Sequence, residues 1–356
     1  MELTTFWFIV IGVLWTGYFV LEGFDFGVGM LFPLLGGKRH AQDAADADKR
    51  RRLLLNTIGP VWDGNEVWVL TAGGATFAAF PNWYATMFSG FYLPLLLILV
   101  ALILRNLGFE YRHKRPEPEW KARWDLAIFW GSLVPPLLWG VALTNVVRGV
   151  PIDANMEYTG NLFTLLNPVG LLGGLVFVAL FLTHGAIFVA LKTDGPIRRE
   201  ARAVAGRVGV VAAVLAVVLL TLLGLDHGKT VSWATTAVAV VALLAGLAAN
   251  AREREGWAFL GTAITIAMAV ASYFLMLFPN VMPSTTDAAF NLTVTNASST
   301  DYTLKVMTVV ALVFTPIVIL YQAWTYWIFR KRLSTKHIPA DVSLEHAAEP
   351  DTALRS

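Results

Sequence analysis

The sequence predicts an all-α polytopic membrane protein, and three observations carry that expectation. Of the 356 residues, 56% are hydrophobic and only 15% charged, whereas a soluble domain carries about 25% charged residues. The apolar residues fall in blocks of roughly 20 or more, the length that crosses a hydrocarbon core of ~30 Å as a helix. Lys and Arg are also segregated into alternate connecting segments, as the positive-inside rule requires of a multi-pass chain. These features exclude a soluble enzyme, a secreted disulfide scaffold and a nucleic-acid binder. The absence of cysteine excludes iron–sulfur clusters, thiolate-ligated haem, Cys-type zinc sites and thiol nucleophiles.

Taken in order, the apolar blocks predict nine spans. Five are expected near Phe6–Leu35, Thr57–Phe80, Tyr84–Leu107, Leu126–Val147 and Phe163–Leu191. Four more follow near Val208–Leu225, Ser232–Ala249, Trp257–Phe278 and Val306–Phe329. Met1-Glu2-Leu3 lacks a basic n-region, and the first apolar run is too long for an h-region, so no signal peptide is expected. The segments 37–56, 105–123, 192–207, 251–256 and 330–356 hold 24 of the 27 Lys and Arg. The other side keeps Arg148, Lys229 and Lys305. This bias predicts an outside N-terminus and a cytoplasmic C-terminus, which an odd number of spans satisfies. Residues 1–330 form the transmembrane domain in this reading. Residues 331–356 form a polar tail expected to be disordered.

The first two spans carry the chemistry. One reads Gly17-Tyr-Phe-Val-Leu-Glu22-Gly23-Phe-Asp25-Phe-Gly27-Val-Gly29, the other Asn56-Thr-Ile-Gly59-Pro60-Val-Trp62-Asp63-Gly64-Asn65-Glu66-Val-Trp68. Glu22 and Asp25 share a helix face, and so do Asp63 and Glu66. An acid near the middle of a span costs roughly 2.5–3.5 kcal/mol, so four cost about 10 kcal/mol or more. Neither span contains Lys or Arg. The acids must therefore be protonated, solvated in a polar cavity, or paired with residues elsewhere in the chain or its partner. A rise of ~1.5 Å per residue places Asp25 about 15 Å and Glu22 about 20 Å from the cytoplasmic end. The same rise puts Asp63 about 9 Å and Glu66 about 14 Å inside, so the four form a ladder of depth. Two readings follow: a proton path, or a polar packing core between helices. Gly23 and Gly27 make a small-xxx-small pair, and Gly59, Gly64, Gly73 and Gly74 thin the second span.

Of six histidines only His184 lies inside a span. A multi-haem membrane cytochrome needs several buried His or Met ligands facing one another. No haem is expected in this chain, and His184 is expected to bond across helices or to face a partner. Arg105, near the inner end of the third span, is expected to snorkel to the headgroups, with a phosphate or an acidic residue as the sharper alternative.

These residues resemble subunit II of the cytochrome bd-type quinol oxidases. The likeness rests on the two acidic motifs and covers nearly the whole chain apart from the tail. It continues through Thr71-Ala-Gly-Gly-Ala-Thr-Phe-Ala-Ala-Phe-Pro, Phe88-Ser-Gly-Phe-Tyr-Leu-Pro-Leu, Arg105 with Phe109-Glu-Tyr-Arg, and Thr183-His-Gly-Ala. The resemblance implies two four-helix bundles plus a peripheral helix, in a bacterial cytoplasmic membrane. It implies a terminal respiratory oxidase that oxidises quinol and reduces dioxygen to water. Two haem b, one haem d and the quinol-oxidising loop would belong to the partner, subunit I. Small accessory subunits and a structural quinone in this chain are compatible with it. Asp63 and Asp25 would help conduct protons from the cytoplasm, beside Glu66 and Glu22, with Trp62, Asn65, Arg105 and His184 as supporting polar or interface residues. A proton-coupled transporter would also use intramembrane acids, but it usually shows broken helices in corresponding positions of two halves. Pro135-Pro136 and Pro316 are not so placed. A purely structural membrane subunit is the third reading.

Overall fold

The computed structural model describes residues 2–37 and 40–339. Apolar length makes helices, and the breaks fall where backbone donors are missing or strained. α1 (Leu3–Met30) runs into the one-turn α2 (Phe32–Leu35). The expected second span is divided: α3 (Ala44–Ile58) ends at a turn over Gly59-Pro60-Val61, and α4 (Trp62–Ala79) begins beyond it. Pro60 has no N–H to donate to the Asn56 carbonyl four residues earlier, which accounts for the break. The third span is divided likewise into α5 (Pro81–Gly90) and α6 (Tyr92–Tyr111). Pro94 cannot donate to the carbonyl four residues earlier, at Gly90. Then follow α7 (Pro118–Arg148), α8 (Leu162–Leu165), α9 (Pro168–Lys192), α10 (Pro196–His227), α11 (Thr230–Ala251) and α12 (Glu255–Leu277). A short antiparallel pair, β1 (Asn280–Met282) with β2 (Leu292–Thr293), precedes α13 (Asp301–Ile328).

Among the described residues eight helices, α1, α6, α7 and α9 to α13, are long and apolar enough to cross a membrane. By length and composition alone, eight of the nine expected spans meet that measure. α4 is the exception, because Asp63, Asn65 and Glu66 lower the hydropathy of an 18-residue helix.

α1 is the central element. It packs on α4, α7, α9 and α12, while α6 packs on α7 and α7 packs on α9. α9, α10, α11 and α12 pack among themselves. The α1–α9 contact is close because two glycines meet: a Cβ on Gly27 would lie 2.2 Å from the Phe181 carbonyl, and one on Gly185 would lie 2.5 Å from the Gly27 Cα. Gly64, Gly73 and Gly74 differ, since a Cβ there would meet nothing within 4 Å. Close packing explains the glycines of α1 but not those of α4.

The basic segments gather at one end of the helices and are held by ion pairs. Arg51 bonds Asp125 at 3.0 Å and Arg112 bonds Asp48 at 2.9 Å, joining α3 to the α6–α7 region. Arg50 pairs with Glu200, and Arg198 bonds Glu255 at 2.8 Å. The chain after α13 returns across this end instead of leaving it. Leu333 N donates to Lys192 O at 2.8 Å, Asp194 N to Leu333 O at 3.0 Å, and Arg52 Nη1 to Pro339 O at 2.8 Å. Ile338 is buried. Of the tail expected to be disordered, residues 333–339 therefore make backbone contacts with this end and bury Ile338. Residues 340–356 lie outside the described residues. α13 is almost wholly exposed, with Leu304 its one buried residue.

The Gly27–Gly185 contact yields a stability prediction. Gly185→Ala should overpack the α1–α9 contact, cost about 1–3 kcal/mol and lower the midpoint of thermal unfolding in detergent. Gly256→Ala, with nothing within 4 Å of its Cβ, should leave that midpoint unchanged or raise it. Equal midpoints for the two variants would show that α1 and α9 do not meet at these glycines.

Candidate functional site

The site is built where α1, α4, α6 and α13 face one another. On α1, Glu22 and Asp25 are both completely buried. Arg105 of α6 is equally buried and ion-pairs with Glu22, with a second contact to Glu66 of α4 at 3.3 Å. Of the two expectations for Arg105, the contact with an acidic residue is the one observed and the snorkel to the headgroups is not. α6 continues to Tyr111, so Arg105 sits nearly two turns inside the helix, and its charge is met by acids rather than by lipid. The guanidinium also lies over the Phe26 ring, 4.6 Å from its centroid. The acids of the first two spans therefore find their cation on the third.

Glu66 is held from two sides. Asn106 Nδ2 donates to both of its oxygens, at 2.9 and 2.8 Å, beside the Arg105 contact. Its side chain keeps 17% exposure because it borders a groove of about 660 Å³ between α4 and α6. Asp63, Trp62 and Asn106 line the same groove, which continues along Gly73 and Gly74. Asp63 occupies the first turn of α4, where the helix dipole favours an anion. It is exposed and makes no side-chain hydrogen bond or ion pair among the described residues. Trp62 packs edge-on against Phe109 at 5.3 Å and walls that end of the groove. The expected ladder of depth is better described as one of exposure: Asp63 open, Glu66 at the groove wall, Glu22 and Asp25 enclosed.

Asp25 has a different set of neighbours. Asn65 Nδ2 donates to Asp25 Oδ2 at 2.7 Å, and Asn65 Oδ1 accepts from Tyr326 Oη at 2.7 Å and Gln322 Nε2 at 3.1 Å. Buried polar atoms without a protein hydrogen bond cluster at the site: Glu22 Oε2, Asp25 Oδ1, Arg105 Nε and Nη1, and Asn106 Oδ1. Such atoms are the ones that bound water or a transferred proton satisfies.

His184 stands apart from these acids. Its Nδ1 lies 2.7 Å from Thr262 Oγ1 of α12 and its Nε2 lies 3.1 Å from the Val20 carbonyl of α1. The ring stacks on Phe259 at 4.6 Å. Both nitrogens are occupied, and the residue bonds across three helices. Sequence reasoning missed Asn106, Gln322 and Tyr326. Their one signal was polarity inside an apolar span, with Gln322 and Tyr326 four apart and so on one helix face.

Residues 3–329 match the family model described as cytochrome bd terminal oxidase subunit II. The chain is 44% identical to the Bacillus subtilis protein named cytochrome bd ubiquinol oxidase subunit 2, over 93% of this chain and 96% of that one. It is 38% identical to the Escherichia coli K12 protein named cytochrome bd-I ubiquinol oxidase subunit 2, over 93% and 95%. Its fold is similar to a chain from the structure of bd oxidase from Geobacillus thermodenitrificans, with a TM-score of 0.75 at 18% identity, covering 93% of this chain and 100% of that chain. An acid-bearing α1, the Trp-Asp-Gly start of α4 and a match running almost end to end lead to one conclusion: the chain belongs to the cytochrome bd terminal oxidase subunit II family.

Proposed function

We propose that this chain, as a subunit of a quinol:oxygen oxidoreductase, carries protons from the cytoplasm toward the oxygen-reducing centre of its partner, subunit I. One observation supports this most strongly. Two acids, Glu22 and Glu66, share one buried cation, Arg105, with Asp25 enclosed one helical turn from Glu22, beside a groove lined by Asp63 and Glu66. One guanidinium balances one carboxylate, and an uncompensated buried charge costs several kcal/mol. A cluster with more acids than cations, set beside the exposed Asp63, supports a proton relay. Asp63 takes up the proton at the groove, Glu66 receives it at the wall, and Asp25 holds it within, beside the Glu22–Arg105 pair.

The haems, two b and one d, and the quinol-oxidising loop belong to subunit I in this reading, where the haems supply electron transfer and oxygen reduction. In this reading the chain crosses nine times, with an outside N-terminus and a cytoplasmic C-terminus, and α4 is the span that its polar partners rather than its hydropathy make permissible. The packing of α1, α4, α6 and α7, and of α9 to α12, supports two four-helix bundles, with α13 peripheral. The basic end then faces the cytoplasm of a bacterial cell membrane.

The relay is tested at Asp63. Asp63→Asn keeps size and hydrogen bonding but cannot titrate, so oxygen consumption by the assembled complex should fall about tenfold or more, the scale of a lost proton-transfer group. Asp63→Glu should keep part of the rate. Normal turnover and proton uptake in a haem-replete Asp63→Asn complex would make Asp63 a packing residue.

Orientation is tested by labelling. The chain has no cysteine of its own, so a single Cys at Ser299 should react with an impermeant thiol reagent in intact cells, and one at Lys114 should not. The reverse pattern refutes the orientation.

Haem placement gives a further test. Expressed alone, the chain should bind no haem, because both nitrogens of its one intramembrane histidine are engaged. Stoichiometric haem that survives washing and disappears in His184→Ala would contradict this.

A further inference from the structure

Asp25 and Asn65 meet inside the protein, and what decides the chemistry is which end of the Asn65 amide faces the acid. The two ends are fixed by residues farther away, and the direction can be followed from a group that only donates. An indole N–H cannot accept a hydrogen bond. Trp68 Nε1 lies 2.8 Å from Gln322 Oε1, so that atom is the amide oxygen and the Gln322 NH₂ points the other way. The NH₂ reaches Asn65 Oδ1 at 3.1 Å, and the Tyr326 hydroxyl donates to the same oxygen at 2.7 Å. Asn65 must therefore present its own NH₂ to α1, where it meets Asp25 Oδ2 at 2.7 Å. The Leu21 carbonyl, which can only accept, lies 3.5 Å from the same nitrogen. Trp68 is held in place independently: its ring lies over Gly17, where a Cβ would come within 2.2 Å of it.

We propose that Trp68, Gln322 and Tyr326 are positioning residues that lock the Asn65 amide with its N–H toward Asp25 Oδ2, leaving the buried, unpartnered Oδ1 as the oxygen that gains and loses the proton. The chain of donors runs from α4 to α13, back to α4 and then to α1. The exposed α13 thereby acts on the enclosed acid without touching it. Were the amide reversed, its oxygen would face Oδ2 and favour the proton on that atom, turned toward Asn65 and away from the relay. Around Asp25 the charged or titratable groups are Glu22 on α1, Glu66 on α4, Arg105 on α6 and Tyr326 on α13. His184 on α9 is bonded to Thr262 and the Val20 carbonyl. Only Asn65 donates a hydrogen bond to Asp25 among the described residues.

This inference rests on the reading of Asp25 as a proton carrier, and the experiment separates the two. The double variant Gln322→Met/Tyr326→Phe keeps volume but removes both donors to Asn65 Oδ1. In the purified complex it should lower maximal oxygen consumption about tenfold, the effect of one hydrogen bond to a charged group. Haem content and the KM for quinol should not change. Made in an Asn65→Ala complex, the same double substitution should cause no further fall, because the residues act through that amide. Trp68→Phe removes the donor that orients Gln322 and should lower the rate about threefold, again without effect in Asn65→Ala. If the double variant does not assemble, the Trp68→Phe pair decides the matter. Full turnover in a haem-replete variant, or an equal fall in the Asn65→Ala background, overturns the positioning role. Asp25→Asn measured beside them tests the underlying reading: normal turnover there removes Asp25 from the relay and this inference with it. A slow Asp25→Asn with a fast double variant removes this inference alone.

Discussion

A fully buried guanidinium fixes the arrangement of the first half of this protein. Arg105 cannot shed its charge, and moving it out of water costs several kcal/mol even after relaxation. It must therefore be surrounded by acceptors, and Glu22 and Glu66 supply them from two other helices. At an effective dielectric of about 20, two charges ~4 Å apart attract by roughly 4 kcal/mol, which about offsets the desolvation rather than exceeding it. The pair thus adds little net stability, but removal of either partner leaves a stranded charge at a cost of about 3–5 kcal/mol. It specifies how α1, α4 and α6 are set against one another more than it strengthens them.

The groove follows from that arrangement. α4 packs on α1, which also meets α9 at Gly27 and Gly185, so the position of α4 is set from the α1 side. Toward α6 it is linked by the polar contacts of Glu66 with Arg105 and Asn106, while Gly73 and Gly74 leave that side of the helix thin. A groove of about 660 Å³ remains, polar at Asp63 and Glu66 and apolar beyond. The same packing that encloses Glu22 and Asp25 therefore keeps a route open to Glu66.

The sequence showed which residues were costly, but not how each cost is met. Apolar blocks and the shared faces of Glu22 with Asp25 and of Asp63 with Glu66 are local properties, and periodicity reveals them. The breaks at Pro60 and Pro94 are also local, yet hydropathy averaged across them, so the second span took in the end of α3 and the third joined α5 to α6. The snorkel of Arg105 was expected because the end of the third span was set at Leu107, whereas α6 runs to Tyr111. The contacts of Asn65 with Gln322 and Tyr326 cross more than 250 residues of chain. No spacing rule within a single helix reaches that far, and a lone Gln in the last span carries no indication of its partner. The contacts of residues 333–339 were missed for the same reason: Leu333 pairs with Lys192 and Asp194, on another connection.

Glu22 and Asp25 lie one turn apart on the same helix and are equally buried, yet their surroundings give them different work. Glu22 faces a permanent cation, so any change in its own charge disturbs the ion pair that sets three helices. Asp25 faces a neutral amide, which donates to it without demanding that it stay charged. Glu66 stands between these cases, sharing Arg105 while Asn106 bonds both of its oxygens at the groove wall. A relay needs one residue that holds the structure while its neighbours change charge. In the relay proposed above, Glu22 with Arg105 would meet the first requirement, and Asp63, Glu66 and Asp25 would meet the second. Two acids of similar type, three positions apart, are thus divided by the third and fourth helices that reach them: α6 brings a guanidinium to one, and α13, acting through Asn65, brings an oriented N–H to the other.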